Sequence, residues 1–209
     1  MARDTRGRIT ETCLLLFNEA GEPAVSTNQI ADAVDISPGN LYYHFRRKSD
    51  IVTDLFDLYR TRITPLLEVP EQAVLHVDDA WLLLHLMFET VWDYRFIYRD
   101  LDSLLGRYDS LRARLQRVIR GKENALRRVC NGLVRSGSML ADDQETRQLS
   151  RNMNLVLCYW LSYQNAMGSQ QPPERQLGNG VYHVFSLLLP YLEADAREQL
   201  GELARAYVS

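Results

Sequence analysis

Residues 37–45, SPGNLYYHF, set an amide, two phenols and an imidazole within five positions: Asn40, Tyr42, Tyr43 and His44. Clustered hydrogen-bonding side chains of this kind are chemistry for recognition. An amide such as Asn40 can pair bidentately with adenine, whereas a tyrosine hydroxyl or an ammonium such as Lys48 positions a partner without reading sequence. Catalytic chemistry has thinner support: there is no glycine-rich phosphate loop, no serine in a nucleophile elbow, and no paired His or Cys at metal-ligand spacing. His76 and His85 lie near Asp78 and Asp79, yet on a helix Asp78 and His85 share a face while the two histidines do not, so solvated or satisfied side chains account for them. His44 has no second ligand at metal spacing either. No catalytic residue, metal or cofactor is expected.

A helix must carry the recognition groups, and its start is written in the residues. Ser37 can cap free N–H groups, and Pro38 at the first helical position has no N–H to satisfy. Leu41 and Phe45, four apart, supply one apolar edge, and Tyr43 reads equally as core or surface. Gly39 is unfavourable for helix formation, but a missing side chain lets the helix N-terminus come close to a phosphate or base. Before it, VSTNQIADAVDIS reads as a second short helix capped by Ser26 or Thr27, with Ile30, Ala31 and Val34 inward and a break at Asp35 to Ser37. Ile9, Cys13, Leu16, Phe17 and Ala20 mark a first helix from Arg8, closed at Gly21. A further helix begins near Lys48 and runs to Pro65 and Pro70, which places a domain boundary between 1–65 and 66–209. Two short helices joined by a tight turn, the second exposed beside basic residues, form the pattern of a helix-turn-helix.

Charge speaks on both sides. A net charge of −3 argues against a globally basic nucleic-acid binder. Yet Arg3, Arg6 and Arg8 open the chain, and Arg46, Arg47 and Lys48 follow the decorated helix directly. Two basic clusters flanking one exposed helix are what phosphate contacts require. Cys13, Cys130 and Cys158 are odd in number, widely spaced and set among apolar residues, which points to buried free thiols. The apolar run WLLLHLMFETVW at 81–92 is too short to span a bilayer and carries His85 and Glu89, so a cytoplasmic protein with no membrane partner is expected.

Beyond Pro70 the apolar periodicity stays helical. One helix carries Val77, Ala80, Trp81, Leu84, Phe88, Val91 and Trp92; a second carries Leu111, Leu115, Val118, Leu126 and Val129, with Lys122 as its polar exception. A third carries Leu149, Met153, Val156, Leu157 and Trp160, and a fourth Leu177, Val181, Val184, Phe185, Leu188 and Leu189. A weakly amphipathic helix closes the chain from Asp195. The fold class is therefore all-α: a helix-turn-helix head of three helices and a larger C-terminal helical domain.

The run from Ile9 to Phe56, above all QIADAVDISPGNLYYHFRRKSDIVTDLF, resembles the N-terminal domain of TetR-type bacterial transcriptional regulators, in which LYYHF, a following lysine and an apolar pair recur. Asp50 departs from that pattern, standing where glutamate is usual. The resemblance implies an Ω-shaped homodimer with two DNA-binding heads and C-terminal domains that dimerise and enclose a small-molecule pocket. Carried over by residue, it makes Thr27 the cap of helix two and a phosphate contact, and places Ser37, Gly39 and Asn40 at the groove end of the recognition helix. It sets Tyr42, Tyr43, His44 and Lys48 against the sugar-phosphate backbone or the groove wall. Double-stranded operator DNA and a second copy of the chain are then the partners, and repression is the family's habit.

On that reading the segments 145–166 and 175–192 form a four-helix bundle across a two-fold axis, with Val184 and Leu188 in the stripe that a lone charge would disrupt. The sensor pocket is expected among the aromatic residues of 81–108, with Trp81, His85, Phe88, Trp92 and Tyr108 as its candidates and a hydrophobic or aromatic effector as its ligand. The rival reading is a helical small-molecule-binding or adaptor protein without a DNA role, and salt-dependent binding to duplex DNA separates the two.

Overall fold

The computed structural model describes residues 2–99, 101–168 and 172–208, and among them the architecture is all-α. Eleven α-helices run in order among the described residues: α1 Ala2–Ala20, α2 Thr27–Val34, α3 Pro38–His44, α4 Lys48–Ile63, α5 Val77–Asp93, α6 Phe96–Arg99, α7 Leu101–Arg107, α8 Asp109–Arg135, α9 Asp143–Ala166, α10 Pro173–Ser186 and α11 Ala194–Val208. Among the described residues, extended pairing is confined to an isolated bridge between Met139 and Leu192. No helix among the described residues is long and apolar enough to cross a membrane.

The first helices assemble around Ile9, Cys13, Phe17, Ile30, Val34, Leu41 and Phe45, all buried. α1 packs on α2 and α4, and α2 packs on α3. α1 starts six residues before the expected Arg8, because Ala2 to Gly7 continue the helix although they add no apolar stripe. α8 and α9 form the most extensive helix pair, and α10 lies against both α5 and α9. Gly180 permits that approach: a Cβ there would stand 2.6 Å from the Phe88 ring and 2.8 Å from Trp160.

Two features depart from the periodicity. α6 and α7, of four and seven residues, occupy 96–107, where the sequence reads only as an aromatic-rich stretch. Lys122 is completely buried on α8. Its Nζ donates to Tyr98 Oη at 3.0 Å and to Cys158 Sγ at 3.1 Å, and the Tyr98 and Tyr59 hydroxyls share a hydrogen bond of 2.6 Å. One polar network thus joins α4, α6, α8 and α9, and satisfied buried networks of this kind specify how elements seat. Cys13, Cys130 and Cys158 are all buried free thiols. Burial pushes Cys13 and Cys130 up to about 12, which leaves them protonated near neutrality.

The expected interface stripe needs correction. Val184 and Leu188 are 0% and 1% exposed within a single chain, so they belong to its own core. Large apolar side chains are left exposed at scattered positions, Leu15, Leu58, Val74, Leu82 and Leu140 among them, but Leu155, Tyr159, Tyr163 and Met167 recur every four residues along one face of α9, with Tyr182 on α10.

Candidate nucleic-acid interface

The turn between α2 and α3 is held by complementary caps. Ser26, not Thr27, is the N-cap of α2: its side chain accepts from the Gln29 N–H at 3.2 Å, and Gln29 Oε1 accepts from the Ser26 N–H at 2.8 Å, a capping box. Thr27 is the first helical residue, and its hydroxyl lies 3.4 Å from Tyr42 Oη, which brings the start of α2 beside the outer face of α3. α2 ends at Asp35 in the left-handed region (φ 58°), a conformation that short polar side chains tolerate. Ser37 then caps α3, its Oγ accepting from the Asn40 N–H at 3.1 Å. That bond occupies Ser37 Oγ within the protein while the hydroxyl remains at the exposed helix start.

α3 is fixed by one edge and open on the rest. Leu41 and Phe45 are buried, while Ser37, Gly39 and Asn40 are exposed. Tyr43 is 82% exposed and Tyr42 half-exposed, which resolves Tyr43 as surface. His44 is half-buried and meets the Tyr43 ring edge-on at 5.2 Å. Around Gly39 a Cβ would find only Ser37 Oγ, at 3.9 Å. Nothing in the protein therefore requires a glycine here.

The basic residues divide differently from their order in sequence. Arg46 and Arg47 are exposed directly after α3. Lys48 is turned inward: its Nζ donates to the carbonyl oxygens of Glu22 (2.5 Å) and Val25 (2.6 Å) and pairs with Glu22 Oε1 at 2.8 Å. An ammonium has three donors, so this lysine is occupied in holding the start of α4 to the turn between α1 and α2 rather than facing outward. Arg6 pairs with Asp54, donates to the His44 carbonyl at 3.0 Å and lies 4.2 Å over the Phe45 ring, and Arg8 donates to the Val34 carbonyl at 2.8 Å. These two arginines brace α3 and the turn. Arg3's side chain lies outside the described residues. The acids have partners too: Asp57 pairs with Arg114 and Arg60, and Asp50 accepts from the Arg47 N–H at 3.0 Å.

Glu22, which the sequence shows only as one acid among several, is a buried hub at 2% exposure. Besides Lys48 it binds Arg107 Nη1 at 3.1 Å, and it accepts from Tyr108 Oη at 2.6 Å. Burial, and then that hydrogen bond to Glu22, push the Tyr108 phenol well above the usual tyrosine range. The five ligand candidates thus have separate surroundings. Tyr108 is committed to Glu22, Trp81 stacks on Phe185 with centroids 4.5 Å apart, and Phe88 packs under Gly180. His85 lies half-buried on α5, and Trp92 lines a cleft beside α6. No group of three His, Cys, Asp or Glu side chains among the described residues converges as a metal site.

Known proteins place this arrangement. Residues 9–55 match a family model described as bacterial regulatory proteins, tetR family, and residues 58–200 match one described as bacterial transcriptional repressor. The HTH-type transcriptional regulator AcrR of Shigella flexneri is 32% identical over 98 residues, 45% of each chain. The nucleoid occlusion factor SlmA of Alteromonas mediterranea is 25% identical over 158 residues, 74% of this chain and 78% of SlmA. The chain spans about half the length of the first curated relatives it matches. Among solved structures, a TetR-family transcriptional regulator of Marinobacter aquaeolei VT8 superposes with a TM-score of 0.85 at 32% identity, over 97% of this chain and 98% of that one. SmeT, solved as a complex with triclosan, shares the fold at 14% identity and a TM-score of 0.59, over 92% of this chain and 94% of that one. With the exposed α3 on its helix-turn-helix and family models matching both parts of its length, the chain belongs to the TetR family of bacterial transcriptional regulators, DNA-binding proteins that generally repress.

Proposed function

We propose that the chain acts as a homodimeric repressor that binds a palindromic operator through α3 and is released by a small aromatic molecule. The head spans 1–65 and the body 66–209, a division supported by the two family matches meeting between residues 55 and 58. The observation that carries the reading is α3 itself: pinned by Leu41 and Phe45, it leaves Gly39, Asn40, Tyr42 and Tyr43 uncovered beside Arg46 and Arg47. Asn40 reads a base, since an amide can pair bidentately with adenine in the major groove. Ser37, Thr27, Tyr42, Tyr43 and His44 position the backbone, joined by Arg46 and Arg47 as the exposed cations. Lys48 supports the same surface from beneath through Glu22.

Dimerisation is assigned to the α9 face of Leu155, Tyr159, Tyr163 and Met167 with Tyr182 of α10. Residues at this four-residue spacing share one helix face, and an exposed apolar stripe of that kind marks an association surface. A two-fold axis there pairs the stripe with its own copy, as an isologous contact requires. SmeT's complex with triclosan supports an aromatic effector as the class to test.

Selection of bound sequences from random duplex DNA with the purified protein tests the proposal. Enrichment of a palindrome whose binding weakens steeply as salt rises is expected. Recovery of no sequence above background, or binding indifferent to salt, would leave the helical binding or adaptor protein without a DNA role as the better account.

A further inference from the structure

Where α5 passes into α6, against the C-terminal half of α9, the surface encloses a cleft of about 210 Å³. Trp92 and Leu161 give it an apolar side, Gln164 and Asn165 an amide side, and Arg95 and Arg99 a cationic side. The two guanidiniums have few protein partners. Arg95 donates from Nη1 to the Trp92 carbonyl at 3.3 Å and lies 4.9 Å over the Trp92 ring. Arg99 donates from Nη1 to the carbonyl oxygens of Asn18 (3.2 Å) and Glu19 (3.1 Å), at the end of α1. Neither forms an ion pair among the described residues, and the nearby Asp93 is held by Arg62 at 2.7 Å. Burial, and secondarily the neighbouring Arg99 charge, push the Arg95 guanidinium down from its ordinary value, and Asp93 offsets this only in part. Two like charges in a shared, partly desolvated cleft are unfavourable until an anion joins them. Each guanidinium has five N–H donors, and each uses one nitrogen within the protein, so forked donors remain for a carboxylate or phosphate.

We propose that this cleft is the effector site and that its ligand is a small aromatic acid, its anion held between Arg95 and Arg99 and its ring lodged against Trp92 and Leu161. The inference rests on the regulator reading and narrows its effector from aromatic to aromatic and anionic. The cleft is smaller than the roughly 300–1,000 Å³ of drug-sized pockets, which favours a single ring over an extended chain. It faces away from the exposed stripe of α9, because Leu161 and Asn165 lie on the opposite side of that helix from Tyr159 and Tyr163. The route to the DNA surface is short. Arg99 grips the last carbonyls of α1, and Glu22, three residues beyond Glu19, carries Lys48 at the start of α4. An anion that draws Arg99 into the cleft competes with those carbonyls, so the ligand has the differential contact between two head positions that coupling requires.

The test titrates the purified dimer calorimetrically with benzoate, phenylphosphate and neutral benzamide at constant ionic strength. At least one anion is expected to bind ten times tighter than benzamide or better, and Arg95→Gln is expected to lose at least tenfold of that affinity. Asn165→Glu, which places a carboxylate at the rim of the cleft, is expected to lose the anion response as well, with thermal melting confirming that both variants fold. Anions that bind no better than benzamide, or as well to folded Arg95→Gln as to the parent, overturn the proposal. Operator binding is measured separately on the same preparations. An anion that fills the cleft yet leaves operator affinity unchanged overturns its effector role while the regulator stands. A protein that binds the anion but selects no DNA sequence overturns the regulator reading while the site stands.

Discussion

Gly39→Ala separates a residue kept for folding from one kept for contact. The added methyl meets no protein atom closer than Ser37 Oγ at 3.9 Å, so it causes no clash. Alanine is about 1 kcal/mol better than glycine in a helix interior. In the first turn of a seven-residue helix only part of that is realised. Stability should therefore be unchanged or rise by up to about 1 kcal/mol, equivalent to about 2–4 °C in Tm for a chain of this size. Binding should move the other way. If the bare backbone at Gly39 approaches a phosphate, the methyl displaces a charge-assisted hydrogen bond worth about 1.5–3 kcal/mol. Both heads of a dimer lose it, roughly 3–6 kcal/mol together, a hundredfold or more in operator affinity. Fluorescence anisotropy with labelled operator at fixed salt, alongside a thermal melt, reads both quantities. Parental operator affinity in Gly39→Ala would refute the close approach, and a fall of several degrees in Tm would refute the claim that the fold has no use for the glycine.

Asn40→Ala should cost roughly 1–3 kcal/mol at one base pair and relax preference there alone, measured by repeating the sequence selection. Lys48→Ala should act through stability: it strips Glu22 of one of its cationic partners, at a cost of about 2–3 kcal/mol and 5–10 °C in Tm, with Arg107 and Tyr108 still in place. Tyr163→Glu should give folded monomers by sedimentation, since its side chain is exposed in the single chain and a charge is costly only once the face is buried against a partner. Tyr59 and Tyr98 have phenol pKa values raised well above 10, burial being the largest cause for each. Because the neutral form is favoured in the folded state, their contribution is fully present below the unfolded pKa near 10 and is lost as pH rises beyond it. Tyrosinate absorbance should therefore stop short of all eleven tyrosines until the protein unfolds.

The parts of the fold that were legible in the sequence are those set by local chemistry. Ser37–Pro38 starts α3 where expected, Asp35 ends α2, and Lys48 starts α4, because caps and turns act within a few residues of themselves. α6 and α7 were not legible, since helices of four and seven residues are too short to display a period. Lys48 read as an outward cation because its partner Glu22 lies 26 positions earlier, a pairing no local pattern signals. The same limit hid Glu22 itself, whose bonds to Arg107 and Tyr108 span 85 and 86 positions. Val184 and Leu188 read as interface because an apolar stripe looks alike whether its own chain or a second copy covers it. The exposed face of α9 was less visible for a physical reason: tyrosines place a polar tip on an apolar ring and weaken the contrast that marks a buried stripe.

The contacts between the first helices and the rest bear on how a ligand could release DNA. Asn18 of α1 donates through Nδ2 to the Asp93 carbonyl at 2.7 Å, and its Oδ1 accepts from the Phe96 N–H at 3.1 Å, so the corner between α5 and α6 is bonded to the end of α1 from both directions. Glu22 adds a second attachment through Arg107 and Tyr108, and the Tyr59–Tyr98 hydroxyl pair a third through α4. These directional hydrogen bonds, buried or partly buried, favour discrete arrangements over gradual drift, since a bond stretched partway leaves its polar groups unsatisfied. α6 takes part in the Asn18 and the Tyr59 attachments, through Phe96 and Tyr98, and its last residue, Arg99, grips α1 directly. A displacement of this four-residue helix therefore acts on α1 and α4 together, whereas a displacement of α7 acts through Glu22 alone. Typical coupling between sites is about 1–3 kcal/mol, comparable to weakening one or two such bonds. On the proposed reading, a ligand in the cleft beside α6 would need to weaken only one or two such bonds to act on α1 and α4 together.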